Sequence, residues 1–129
     1  MKSLGFVEVS GVVAAVDALD IMCKSADVSL VSWERKLGGR LVTLIVTGTV
    51  SAVQAAVDNA CAACIKKPVA SAVIANPHPE TLRLAELSAS RLKKAEETKK
   101  KAAKQDDPAA SESAPAKSAK SSKPKTTKQ

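Results

Sequence analysis

One stretch constrains this chain more than any other: Val28 to Gly48, VSLVSWERKLGGRLVTLIVTG. Val28 to Arg35 is rich in β-branched and aromatic residues, and Leu41 to Val46 is apolar throughout except for Thr43. A short apolar run bounded by turn signals suits a strand covered on both faces. Between the two segments Gly38-Gly39 can take positive φ without steric cost, so the chain can reverse there. Lys36 and Arg40 bracket the reversal with positive charge. Bare backbone amides flanked by cations suit anions or polar solutes, although an ordinary solvated hairpin would end in the same way.

The other segments arrange themselves around that hairpin. Leu4 to Val9 reads as a first strand, closed by Ser10-Gly11. From Val12 to Ala26 the residues Val12, Val13, Val16, Leu19, Met22 and Cys23 recur at helical spacing and predict an apolar stripe, with Asp17, Asp20 and Lys24 on the other side. Thr49 is an N-cap for a second helix, whose predicted stripe is Val50, Val53, Val57, Cys61 and Cys64. Lys66-Lys67 near its end and then Pro68 are expected to stop it. Val69 to Ala75 gives a fourth strand, Asn76-Pro77-His78-Pro79 breaks it, and Glu80 to Leu92 forms a third helix. The order β-α-β-β-α-β plus a terminal helix is an α+β plan of the ferredoxin-like, split β-α-β kind. Two helices would cover one face of the sheet and leave the other only partly covered.

Charge divides the chain into two regions. Met1 to Ser90 carry eight basic and eight acidic residues, so the whole excess of +7 lies in residues 91–129. The first region is the expected domain, 1–90. The second is a Lys/Ala/Ser/Pro-rich extension, 91–129, expected to be partly helical and then disordered. Arg91 to Lys104 can prolong the last helix, because Ala, Glu and Lys are good helix formers, whereas Pro108, Pro115 and Pro124 oppose helix further on. The near absence of large apolar side chains makes disorder the default there. A domain of this size buries only about 60–65% of its unfolded surface, so a neutral one rich in small apolar residues is a natural unit for tight self-association. No run approaches the roughly 18 apolar residues of a membrane span. Met1-Lys2-Ser3 leads directly into a strand without an apolar leader, and three cysteines, an odd number, fit a reducing compartment. The expected location is cytoplasmic, with no membrane partner.

Four ordered motifs give the domain a specific likeness. These are LGFVEVSG; MCKSADVSLV, similar to M-x-K-A/S-A-x-V-x-L-V/L; KLGGRLVTLIVTG, similar to K-I-G-S-G-x-V-T-V-x-V-x-G; and VIANPH at the end of the last strand. Over about Leu4 to Glu86 the chain resembles a bacterial microcompartment shell protein of the single-domain, hexamer-forming kind. The resemblance implies flat hexamers tiling into a shell that encloses enzymes. It implies a loop lining a central pore at Lys36, Leu37, Gly38, Gly39 and Arg40, and a hexamer-edge lysine at Lys24, with Asn76, Pro77 and His78 also at the edge. Gly38-Gly39-Arg40 stands where many members have Gly-Ser-Gly, so a hydroxyl is lost and a cation gained. Asn76 stands where the family often has arginine. Implied partners are a homo-hexamer, other shell proteins, encapsulated enzymes, and small polar or anionic metabolites passing the pore.

The remaining chemistry-bearing residues point away from catalysis. Cys61-x-x-Cys64 lies on the predicted apolar stripe, where a free thiol acts as a small hydrophobe. Cys23 and His78 are the only further candidate ligands and have no zinc-site spacing, so neither a metal nor another cofactor is expected. His78, the single histidine, has no local nucleophile to serve, and an edge or cap role suits it better. Glu8, Asp17 and Asp20 read as solvated or interface charges. No catalytic residues are expected, and the protein is not expected to be an enzyme. The competing reading, from another class, is a small nucleic-acid-associated protein whose basic tail neutralises phosphates. With no interleaved aromatics such binding would be non-specific, and nucleic acid is not among the expected partners.

Overall fold

The computed structural model describes residues 3–35 and 38–105; Lys36 and Leu37 of the expected loop, and the extension from residue 106 onward, lie outside the described residues. The elements are β1 (Ser3–Ser10), α1 (Val12–Ser25), β2 (Val28–Glu34), β3 (Leu41–Gly48), α2 (Val50–Ala63), β4 (Ala70–Ile74) and α3 (Pro79–Gln105). The strands form one antiparallel sheet in the order β2-β3-β1-β4. This is the α+β, β-α-β-β-α-β plan read from the sequence, with the terminal helix added. β3 pairs with β1 from Leu41↔Ser10 to Gly48↔Ser3, and with β2 from Thr43↔Glu34 to Gly48↔Val28. A register shift between Leu30 and Ser32 leaves Val31 as the extra residue of a bulge on β2, the outer strand.

Alternation along the strands separates two faces. Val7, Val9, Val42, Leu44 and Val46 form a core with Ala14, Ala15, Ala18 and Met22 of α1 and with Val53, Ala56, Val57 and Ala60 of α2. So many alanines at the helix surfaces allow close approach of backbone to backbone. Gly5 shows how close: a Cβ built there would lie 2.7 Å from Val53 Cγ1 and 3.0 Å from Val46 Cγ2. On the opposite face Leu4, Phe6, Val31 and Ile45 pack under Leu82 and Ala85 of α3. There Ser32 and Ser88 share a 2.7 Å hydrogen bond, and Ser88 Oγ also donates to Glu34 Oε1.

The predicted stripe on α1 is corrected by the structure. Val12, Val13 and Val16 are exposed, Cys23 is exposed, and the buried positions are Ala14, Ala15, Ala18 and Met22. The helix carries two apolar faces, and the one rich in alanine packs inward between α2 and the sheet, with Met22 as its one large side chain. On α2, Val53 and Val57 are buried as expected, Cys61 and Cys64 are half-buried against the core, and Val50 is exposed. Thr49 caps that helix, accepting a 3.3 Å hydrogen bond from Ala52 N–H. It ends at Ala63, however, before the lysine pair, because Ile65 N–H donates to the Asp17 carboxylate of α1 at 2.9 Å and draws the chain away. The third helix continues past Leu92 to Gln105, the prolongation that the residues Arg91 to Lys104 allow.

Gly5 provides the direct test of this packing. Gly5→Ala should destabilise the fold by about 1–3 kcal/mol in urea unfolding, because valine side chains and strand backbone must move apart. Gly5→Ala combined with Val53→Ala should recover part of that loss, as the nearest methyl is then gone.

Candidate functional site

The reversal between β2 and β3 is built from three consecutive left-handed residues, Gly38 (φ 69), Gly39 (φ 57) and Arg40 (φ 61). Leu41 N–H donates to the Gly38 carbonyl at 3.1 Å and closes the turn. Gly11 N–H donates to the Arg40 carbonyl at 2.8 Å and ties the turn to the β1–α1 junction. A Cβ at Gly38 would meet nothing within 4 Å, so glycine is favoured there by the dihedral and not by space. Arg40 lacks that freedom and carries left-handed strain of roughly 1 kcal/mol. All three residues are exposed. Glu34 faces Ser88, and among the described residues no ion pair joins it to Arg40. At the base of the turn the Arg35 guanidinium lies 4.7 Å from the centre of the Trp33 ring, a cation–π contact that the sequence did not announce.

The second group of candidate residues lies elsewhere. Lys24 occupies the last turn of α1, where a cation suits the helix C-terminus. Its side chain is 75% exposed and pairs with Asp20 at 2.7 Å. Hydrogen bonding to Asp20, helped by its charge, holds the Lys24 ammonium above its ordinary 10.5. Asn76 is exposed, Pro77 is buried, and exposed His78 caps α3. The His78 ring Nδ1 accepts from Glu80 N–H at 3.2 Å, and its carbonyl accepts from Thr81 and Leu82.

Strand register relates the two groups. Val28 and Ser3 both pair with Gly48, from either side, at one end of the sheet, and Ile74 pairs with Leu4 beside them. Lys24 precedes Val28 and Asn76–His78 follow Ile74, so both belong to that end. The glycine turn follows Glu34↔Thr43 and adjoins Ser10↔Leu41, at the other end. Strands of eight residues set the two ends apart by about 25 Å. The candidate residues thus form two sites, one at each end of the sheet.

A third surface was missed because apolar periodicity cannot say which of two apolar faces goes inward. Val12 (44% exposed), Val13 (75%), Val16 (53%) and Ile65 (71%) form an apolar patch beside Asp17 and Asp20. Among the described residues no group of three or more His, Cys, Asp or Glu side chains could hold a metal ion. Cys64 instead donates its thiol to the Ala14 carbonyl at 3.4 Å, a packing contact between α2 and α1. No helix among the described residues is long and apolar enough to cross a membrane.

The BMC domain family model matches residues 3–77, more than half of the chain. The chain belongs to the bacterial microcompartment shell-protein family. The bacterial microcompartment shell protein PduA of Citrobacter freundii is 48% identical over 80 residues, which are 62% of this chain and 85% of PduA. The shell protein EutK of Escherichia coli K12 is also 48% identical, over 66 residues that cover 51% of this chain and 39% of EutK. The carboxysome shell protein CsoS1A of Hydrogenovibrio crunogenus is 44% identical over 81 residues. Among solved structures, a microcompartments protein from Desulfitobacterium hafniense DCB superposes with a TM-score of 0.60 at 26% identity. It covers 68% of this chain and 48% of its own. The BMC domain match ends before α3, so both the helix and the basic extension lie outside it.

Strain at the turn is measurable. Arg40→Gly should raise stability by about 0.5–1 kcal/mol in denaturant unfolding, the relief of left-handed strain exceeding the entropy that glycine adds to the unfolded chain.

Proposed function

We propose that this shell protein works as a hexamer-forming tile: copies meet around the glycine turn at a six-fold axis, and hexamers meet along the rim that carries Lys24 and Asn76–His78. The observation that carries this reading is the separation of the two sites to opposite ends of one sheet. A tile needs one end of each subunit at its centre and the other at its edge. The exposed Val12–Val13–Val16–Ile65 patch supports self-association, since an apolar surface of this kind on a small domain calls for a partner. In this reading the shell lies in the cytoplasm, the partners are other shell proteins and enclosed enzymes, and the subunit does no catalysis. The opening at the axis is lined by exposed glycine amides and Arg40, repeated around it, and admits small polar or anionic metabolites. Lys36 and Leu37 complete that loop in the proposal.

At the rim, Lys24 can turn from Asp20 to backbone carbonyls of a neighbouring tile, laying its aliphatic stem across the seam. Its charge is insensitive to pH near neutrality. The lysine side of the Asp20 pairing stays charged through neutral pH and loses its proton only as pH rises through the elevated value. Lys24→Asp should leave hexamers intact by light scattering but prevent extended sheets in electron micrographs. Sheets as extensive as the parent's would disprove the rim assignment.

The axis is tested separately. Arg40→Glu reverses one charge in every subunit and should lower the flux of a small anion across assembled shells by about 10-fold at low salt, with the difference shrinking as salt screens the field. Equal flux with assembly intact would remove Arg40 from the opening.

A further inference from the structure

Helix α3 does not finish where the domain does. Its first turns cross the sheet face opposite α1 and α2, with Leu82 and Ala85 over Leu4, Phe6, Val31 and Ile45. Its next contact, Ser88 on Ser32 and Glu34, lies further toward the turn end and on the outer strand. Beyond it Arg91, Leu92 and Ala95 face Trp33, Glu34 and Arg35, the last residues before the glycine turn, across a cleft of about 510 Å³. The helix therefore travels diagonally from the rim end of the sheet to the root of the turn. From Lys93 to Lys104 every residue is exposed, a cantilever of about 18 Å at the rise of an α-helix.

The charge on this cantilever is concentrated. Residues 91–105 hold seven cations (Arg91, Lys93, Lys94, Lys99, Lys100, Lys101, Lys104) against Glu96 and Glu97, a net of five, so most of the whole chain's excess of +7 sits on this helical stretch. Glu96 and Glu97 stand four residues before Lys100 and Lys101, the favoured orientation of such pairs, and leave Lys94, Lys99 and Lys104 unneutralised at that spacing. The stretch carries no aromatic residue. Beyond Leu92 it has no aromatic, arginine or large apolar anchor of the kind that protein interfaces bury, so that part attracts by charge.

We propose that the prolonged α3 is a cationic collar for the opening, which collects multiply charged small anions, such as phosphate esters and polycarboxylates, and delivers them to the glycine turn. The proposal rests on the hexamer reading, in which each subunit contributes one such helix beside the axis. The cleft at its root offers two guanidinium groups, Arg35 and Arg91, with Glu34 as the opposing carboxylate, itself engaged by Ser88. Guanidinium groups grip phosphate and carboxylate oxygens in pairs, whereas the lysines further out act as point charges that enrich anions without holding them. Weak outer collection and a firmer inner cleft next to the opening make a gradient toward the axis. Clefts of one sign raise the local concentration and entry rate of counter-ions about 10-fold or more at low ionic strength.

The test uses the full chain assembled into closed shells, with inorganic tripolyphosphate as the charged probe and glycerol as the neutral one. A variant carrying Arg91→Gln with Lys99→Gln, Lys100→Gln and Lys101→Gln leaves the BMC domain and the turn untouched. The expected result is a roughly 10-fold fall in tripolyphosphate entry at low salt, unchanged glycerol entry, and convergence of parent and variant as salt is raised. Equal tripolyphosphate entry in parent and variant, with glycerol passing normally in both, would overturn the collar and leave the opening standing. Failure of glycerol to enter parent shells would overturn the opening and the collar together. Duplex DNA that binds the parent in a steeply salt-dependent way, and that tripolyphosphate does not displace, would also overturn it, in favour of a nucleic-acid grip.

Discussion

The antiparallel pairing of β1 with β3, eight residues from Ser3↔Gly48 to Ser10↔Leu41, is the constraint on which the rest of the structure depends. It places both strands at the centre of the sheet, where Val7, Val9, Val42, Leu44 and Val46 present one continuous apolar face. A slip of one residue would turn that whole set to the wrong side, so the register is strongly specified. The glycines fit the same register. At Gly5 the absent side chain lets α2 lie against β1, and at Gly48 a Cβ would come within 2.9 Å of the Asp27 carbonyl. Once the register holds, the two ends of the sheet acquire their separate contents: the left-handed turn at one, Lys24 and the Asn76–His78 segment at the other.

The same packing explains why the surface of the single subunit is unusual. α1 and α2 approach through Ala14, Ala15, Ala18, Ala56 and Ala60, and of the larger side chains of α1 only Met22 is fully buried. Val12, Val13 and Val16 are left facing outward with Ile65. A solitary domain would gain from the reverse arrangement, since burying a valine contributes about 1.5–3 kcal/mol and burying an alanine much less. The sequence thus presents two apolar surfaces at once, one packed within the subunit and one left exposed, and the exposed one supports the self-association proposed above.

This is also where sequence reading reached its limit. Element order, the hairpin, the Thr49 cap and the glycine turn were all legible, because each rests on local rules: period, capping chemistry and permitted dihedrals. The orientation of α1 was not. Val12, Val13 and Val16 and Ala14, Ala15 and Ala18 are both apolar at helical spacing, and the choice between them depends on the gap left by α2, which no local pattern contains. The end of α2 was misjudged for a similar reason, since the Asp17 carboxylate that captures Ile65 N–H lies 48 residues away in sequence. Extension of the last helix was visible as propensity in the run from Arg91 to Lys104. Its path across the sheet to Trp33 and Arg35 was not, because the Ser32–Ser88–Glu34 contacts that aim it join residues more than fifty positions apart.

Charge follows the division between surfaces that must meet and surfaces that must stay apart. Residues 1–90 carry no net charge, and the two ion pairs among the described residues, Lys24–Asp20 and Arg83–Glu80, are local to their own helices. Like charge repeated around a ring or along a seam would oppose assembly, so neutrality suits the faces that tile. The cations are gathered instead on a helix whose residues from Lys93 to Lys104 are exposed beyond the cleft at its root. Repulsion between such helices in neighbouring subunits is weak at separations beyond the roughly 8 Å over which physiological salt screens charge. A cantilever can therefore carry a charge density that the proposed tile itself could not, and keep it close to the turn without opposing the contacts between subunits that the proposal requires. In the proposed tile, position is the decisive variable: the same five net charges spread over the rim would act against the seams, whereas on α3 they would act on solutes approaching the turn.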